Sequence, residues 1–127
     1  MIDHITFGVR DFARSTAFYD SAFAPLGVKR LFTVPKNHAG EVNVTGYGDD
    51  RPWFWLVEEK ATTGLLHVAL QATSRAAVDE FHAAAIRAGG TDNGPPGLRP
   101  HYHPDYYAAF VLDPNGHNIE AVCHTST

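Results

Sequence analysis

The sequence predicts an α+β fold made of two similar halves, each running strand–helix–strand–strand–strand. Three observations carry this prediction. Shifting the 127-residue chain by 63 residues lays Asp3-His4-Ile5-Thr6-Phe7 over Leu66-His67-Val68-Ala69-Leu70 without a gap. The same shift sets Asp11 on Ser74, Phe18 on Phe81, Ala22 on Ala85 and Gly27 on Gly90. In both halves a strand-like alternation gives way to a helical apolar stripe at matching points.

Each half opens on a strand. Ile5, Phe7 and Val9 alternate with His4, Thr6 and Gly8, and Leu66, Val68 and Leu70 alternate with His67, Ala69 and Gln71. Asp11 and Ser74 follow as N-caps, whose side chains accept from free amides of a first helical turn. Val78, Phe81, Ala85 and Ala88 keep one helical face, and Phe18 with Ala22 matches the middle of that stripe. Gly27 and Gly89-Gly90 end the helices at positions tolerant of positive φ. Strands are expected at Lys29–Val34, Val42–Tyr47 and Trp53–Val57, separated by the loops Pro35-Lys36-Asn37-His38 and Gly48-Asp49-Asp50-Arg51-Pro52. In the second half Asn93-Gly94-Pro95-Pro96-Gly97 reads as a loop. Tyr106–Leu112 and Asn118–His124 then flank the turn Asp113-Pro114-Asn115-Gly116, a hairpin signal. Halves of this size barely bury a core alone, so one domain of two packed modules, 1–62 and 63–127, is expected.

A composition that is 44% hydrophobic supplies that core and excludes a disordered chain. The net charge of −4 leaves no basic excess to neutralise phosphates, so neither nucleic acid nor an anionic membrane is an expected partner. The single Cys123 excludes an intrachain disulfide and a multi-cysteine zinc site, and reads as a small buried hydrophobe. No apolar run approaches the ~20 residues that span a bilayer, and the first residues carry no signal pattern; a cytoplasmic location is expected.

Eight histidines nearly equal the ten lysines and arginines. Two of them, His4 and His67, stand at equivalent repeat positions, opposite the aliphatic face of their strands. In the last strand Ile119, Ala121 and Cys123 form one face, while Asn118, Glu120, Val122 and His124 form the other. A carboxylate in such a strand needs a partner. His4, His67 and Glu120 together fit a facial triad for a divalent metal, with coordination positions open to water and substrate. His38, His82, His117 and His124 read as surface or turn residues.

At these residues the chain resembles the vicinal oxygen chelate superfamily, which includes glyoxalase I, extradiol dioxygenases and bleomycin- or fosfomycin-resistance proteins. The resemblance rests on Asp3-His4-Ile5, Phe18-Tyr19, His67-Val68-Ala69-Leu70 and Asp113-Pro114-Asn115-Gly116-His117-Asn118-Ile119-Glu120. It implies paired βαβββ modules whose mixed sheets form a cup, with helices packed outside. It also implies His4, His67 and Glu120 as ligands of iron, nickel, zinc or manganese, and a homodimer. Glyoxalase I-like members carry a fourth ligand on the last strand of the first module. The ungapped repeat sets Glu120 over Val57, and Trp53, Trp55 and Val57 share a face, so that position reads as apolar.

A second cluster runs Arg99-Pro100-His101-Tyr102-His103-Pro104-Asp105-Tyr106-Tyr107. Alternation lets only one of Tyr106 and Tyr107 face the cup, as a phenol able to orient or protonate an oxygen. Tyr107 is assigned that catalytic role with Glu120, and His103 serves as a nearby acid or base. Tyr47, Trp53, Trp55, His101, Tyr102 and Tyr106 are expected to line the substrate pocket. The expected function is a metal-dependent enzyme holding a small substrate through vicinal oxygens, of lyase, isomerase or ring-cleaving dioxygenase type. The alternative is a resistance-type protein that binds an antibiotic or aromatic compound without turnover. A structural remnant or interaction module is a third reading.

Overall fold

The computed structural model describes residues 1–34 and 42–127. The first unit contains β1 (Ile5–Val9), α1 (Phe12–Phe23), β2 (Lys29–Val34), β3 (Val44–Gly48) and β4 (Pro52–Glu58). The second contains β5 (His67–Gln71), α2 (Arg75–Arg87), β6 (Thr91–Leu98), β7 (Tyr107–Leu112) and β8 (Asn118–Cys123). Asp11 caps α1 by accepting from Arg14 N, and Ser74 caps α2 by accepting from Ala77 N. Both caps stand where the repeat sets them. The expected loop Pro35-Lys36-Asn37-His38 lies outside the described residues.

Two four-stranded sheets result, in the orders β1-β4-β3-β2 and β5-β8-β7-β6. In each, the first strand runs parallel to the last, and the remaining pairs are antiparallel. The sheets are not closed into a barrel. No helix among the described residues is long and apolar enough to cross a membrane.

Alternation decides which face each strand buries. Phe7 and Val9 of β1, Tyr47 of β3, and Phe54 and Leu56 of β4 turn towards α1, where Phe18, Tyr19, Ala22 and Phe23 meet them, all buried. Phe54 lies edge-on to Phe7 at 5.2 Å and to Phe23 at 4.9 Å. In the second unit Val78, Phe81 and Ala85 of α2 join Leu70, Val111, Ile119 and Ala121 in the same continuous core. Cys123 is buried beside them.

A polar lock joins the units. Tyr19 Oη donates to Asp113 Oδ2 at 2.5 Å, and the backbone amides of Asn115 and His117 donate to Asp113 Oδ1. The imidazole of His117 bridges Asp113 Oδ2 and the carbonyl of Thr62 at 2.7 Å, and stands edge-on to Phe7. His117 is therefore 3% exposed, not a surface turn residue. The turn folds back over the core, and every polar atom of the ring finds a partner there.

The second departure is β6. Asn93-Gly94-Pro95-Pro96-Gly97 is not a loop but the middle of this strand. β6 is an edge strand, so prolines that cannot donate outward cost no ladder bonds, and two register shifts absorb the irregularity.

Candidate functional site

The site grows from β8. Ile119, Ala121 and Cys123 face the core, which turns Glu120 to the opposite, concave face. There Glu120 is only 1% exposed. Burial of a carboxylate requires donors, and it has one on each oxygen. His67 Nε2 donates to Oε1 at 2.8 Å, and Tyr106 Oη donates to Oε2 at 2.5 Å. Register explains the convergence. Ala69 pairs with Glu120, placing His67 two residues back on the same face of β5, and Phe110 of β7 pairs with Glu120 from the other side. The His67 side chain stays 42% exposed, so the pair has a solvent-facing side.

Burial, its bond to Glu120 and the nearby carboxylate charge hold the Tyr106 phenol well above the ordinary tyrosine range. It is a protonated donor at neutral pH. Tyr107, assigned the catalytic role on sequence, has the opposite parity and donates to Asp79 on α2 at 2.6 Å. The phenol on Glu120 is thus Tyr106. The hairpin signals this: counting back across Asp113-Pro114-Asn115-Gly116 sets Phe110 opposite Glu120, and Tyr106 shares Phe110's face.

Beyond Tyr106 the aromatic cluster continues. The Asp105 amide donates to His103 Nδ1, so in the neutral ring Nε2 carries the proton and donates to His124 Nδ1 at 2.7 Å. Both rings lie edge-on to Tyr106, and Tyr102 packs on Tyr106 at 4.8 Å with His101 against Tyr102. His124 is exposed as expected, but its partnership with His103 was not visible in the sequence. Arg99 and Phe110 also line this face, with the guanidinium carbon 5.4 Å from the ring centroid; neither received a role from the sequence.

The first unit contributes differently. His4 sits just before β1, exposed, with Nδ1 on Asp3 Oδ1 at 2.7 Å, and Arg51 holds the other Asp3 oxygen at 3.0 Å. Tyr47 turns into the core, where its hydroxyl donates to Asp20 at 2.9 Å; it is not on the concave face. Trp53 and Trp55 are on that face, half-buried, with the Trp53 indole donating to Asp49. Trp55 packs edge-on to Phe32 at 6.0 Å. A recess of about 290 Å³ between the two first strands is bounded by Asp3, Ile5, Arg51, Trp53, Val68 and Ala69.

Register also corrects the repeat at the last strands. Thr6 pairs with Trp55, while its counterpart Ala69 pairs with Glu120. Trp55, not Val57, therefore occupies the place of Glu120 in the first unit. Gly46 leaves room for it, since a Cβ there would approach the indole to 2.9 Å.

The family description that matches residues 1–121 is the glyoxalase/bleomycin resistance protein/dioxygenase superfamily. The chain belongs to this superfamily. Among solved structures it is similar to a glyoxalase/bleomycin resistance protein from Albidiferax ferrireducens, with 29% identity, TM-score 0.79 and coverage of 97% and 98% of the two chains. The fold is shared with a mutant of fosfomycin resistance protein FosX from Listeria monocytogenes in a Mn(II) complex, at 19% identity, TM-score 0.72 and coverage of 99% and 93%. It is shared too with a glyoxalase I variant from Zea mays, at 20% identity and TM-score 0.71, where it covers 95% of this chain and 43% of that one. No curated protein sequence matches.

Superfamily membership raises the question of a metal. Among the described residues no group of three or more His, Cys, Asp and Glu side chains could hold one. His67 and Glu120 alone supply an imidazole and a carboxylate already in contact, a donor pair suited to a divalent cation. One chain thus brings two of the three expected donors together and leaves His4 apart.

Proposed function

We propose that this superfamily member is a metal-dependent enzyme that binds a small substrate through vicinal oxygens, working as a homodimer. His67 and Glu120 hold the metal together with His4 from a second copy of the chain. The observation that carries the reading is the buried Glu120 carboxylate with the His67 imidazole on it at 2.8 Å, on a solvent-facing concave surface. A divalent metal bound there, iron, nickel, zinc or manganese, supplies Lewis acidity to the substrate's oxygens. The chain's own residues do the rest. Tyr106 keeps its proton and fixes the second oxygen of Glu120, so the carboxylate stays aimed. To serve as a ligand, His67 would present Nε2 without its proton, in the neutral tautomer that carries the proton on Nδ1. His103, with the His124 acceptor behind it, offers an imidazole beside Tyr106 for proton transfer. Tyr102 and His101 wall that end, and Trp53 and Trp55 wall the first unit's face. Lyase, isomerase and ring-cleaving dioxygenase chemistry all use such a site.

The test is metal content after loading with Mn(II), Zn(II), Ni(II) or Fe(II). His67→Ala, Glu120→Gln and His4→Ala should each lose the metal that the parent retains; equal content in all four overturns the site. Mixing His4→Ala with His67→Ala subunits restores part of the binding only when ligands come from two chains. A second reading, binding of a flat compound without turnover, is favoured by the half-buried Trp55 against exposed Phe32. Ligand affinity unchanged by a chelator supports it.

A further inference from the structure

Arg99 is a half-buried cation with no carboxylate partner among the described residues, and the chain has built a seat for it. Its Nη1 donates to the carbonyl of Gly97 and its Nη2 to the carbonyl of Pro95, each at 2.8 Å. The guanidinium plane is carried over the Phe110 ring. Two glycines make the room: a Cβ on Gly94 would come within 3.2 Å of Nη2, and one on Gly97 within 3.2 Å of Nη1. Gly94 also adopts φ +148°, a conformation side-chain-bearing residues rarely take. The irregular Gly-Pro-Pro-Gly course of β6 is what aims those carbonyls.

Both acceptors are neutral. Two carbonyls occupy two of the five guanidinium N–H groups, leaving donors and a full positive charge uncompensated. The guanidinium rests on Phe110, which pairs with Glu120 in the sheet and lies 6.0 Å from the His67 ring. A planar cation fixed in this way recognises a carboxylate or phosphate-type group through paired charge-assisted hydrogen bonds. A guanidinium needed only to brace the strand would gain from a carboxylate neighbour, and this one has none among the described residues.

We infer that Arg99 binds an oxyanion group of the substrate, so that the proposed enzyme acts on small acids whose anionic end lies over Phe110 and whose vicinal oxygens reach the His67–Glu120 pair. This inference rests on the proposed function for the location of the reacting end only; the anion seat itself stands on Arg99, Gly94, Gly97 and Phe110.

The test uses glycolate, methylphosphonate and the neutral analogue glycolamide as probes, with binding read by calorimetry and amide NMR, with metal and with chelator. In the parent protein, amide shifts caused by an acid should centre on Gly97, Arg99 and Phe110. Arg99→Gln should weaken the acids by about tenfold or more and leave glycolamide unchanged, while Arg99→Lys keeps part of the affinity. The stronger of glycolate and methylphosphonate identifies carboxylate or phosphonate as the native group. Equal acid affinity in parent and Arg99→Gln, no acid binding by the parent, or shifts centred away from Gly97, Arg99 and Phe110 would each overturn the inference. An Arg99→Gln protein that unfolds leaves the parent's shift map to decide. The two readings separate cleanly. Acid binding at Arg99 that persists with chelator in a protein that takes up no metal sinks the metal site and keeps the anion seat; metal uptake with Arg99-independent acid binding does the reverse.

Discussion

The two units share a plan but spend their concave faces on different chemistry. In the first, that face carries Trp53, Trp55 and Phe32, and its polar atoms are paired locally, as His4 is with Asp3. In the second, it carries Glu120, His67, Tyr106 and Arg99, with the carboxylate buried under two donors. The cores show the opposite bias. The first unit packs five aromatic rings, Phe7, Tyr19, Phe23, Tyr47 and Phe54, against one another. The second relies on small and aliphatic residues such as Ala109, Ala121, Ile119 and Val111 around Phe81. The result is an aromatic half that makes bulk and wall, and a half with a thin core under a polar face.

That contrast can be broken in graded steps. The largest effect is expected in the aromatic core, where Phe54→Ala should cost about 3–5 kcal/mol in denaturant unfolding because the four other rings of the cluster cannot collapse into the space. A loss below ~1 kcal/mol would mean the first unit is not held by that cluster. Next comes Tyr106→Phe, which strips a donor from a buried carboxylate and should cost about 1–3 kcal/mol. Tyr107→Phe, whose partner Asp79 is exposed, should cost under ~1 kcal/mol. Reversal of that order would mean that Tyr107, not Tyr106, makes the costlier hydrogen bond.

The smallest effect is alkaline. Burial raises Tyr19 and Tyr47, and burial with the Glu120 bond raises Tyr106, above the ordinary value of 10.0. A raised folded pKa gives stability that is complete below the unfolded value and is lost as pH climbs through the folded one. Melting temperature should therefore be flat to about pH 10 and fall above it, with the fall shallower in Tyr106→Phe. A fall beginning near neutrality would contradict this sign.

Much of this arrangement is legible in the residues. Alternation places Glu120 and His67 on faces away from the core, and Asp11 and Ser74 announce the helix starts. The misread parts have common physical causes. Gly94, Pro95 and Pro96 carry loop chemistry, yet an edge strand tolerates them because its outer amides need no partner. Trp55 takes the counterpart place of Glu120 because the last strands of the two units are offset by two residues, a shift hidden in an ungapped repeat. His117 looks like part of an exposed turn, and only the fold-back onto Thr62 buries it. The pairing of His103 with His124 depends on a loop course that no period encodes.

The Tyr19–Asp113 bond also bears on how the chain reaches this state. Its partners stand 94 residues apart, and the nearby bond from Asn115 Nδ2 to Ser15 Oγ spans 100. Contacts of such separation close late, after most of the loop entropy has been spent. The inner surface of the first helix is therefore completed by the β7–β8 hairpin, which is synthesised long after the helix itself. A chain interrupted before Asp113 would hold its aromatic half with an open flank, so the Asp113–Gly116 turn acts as a clasp that closes the core only once it has been made.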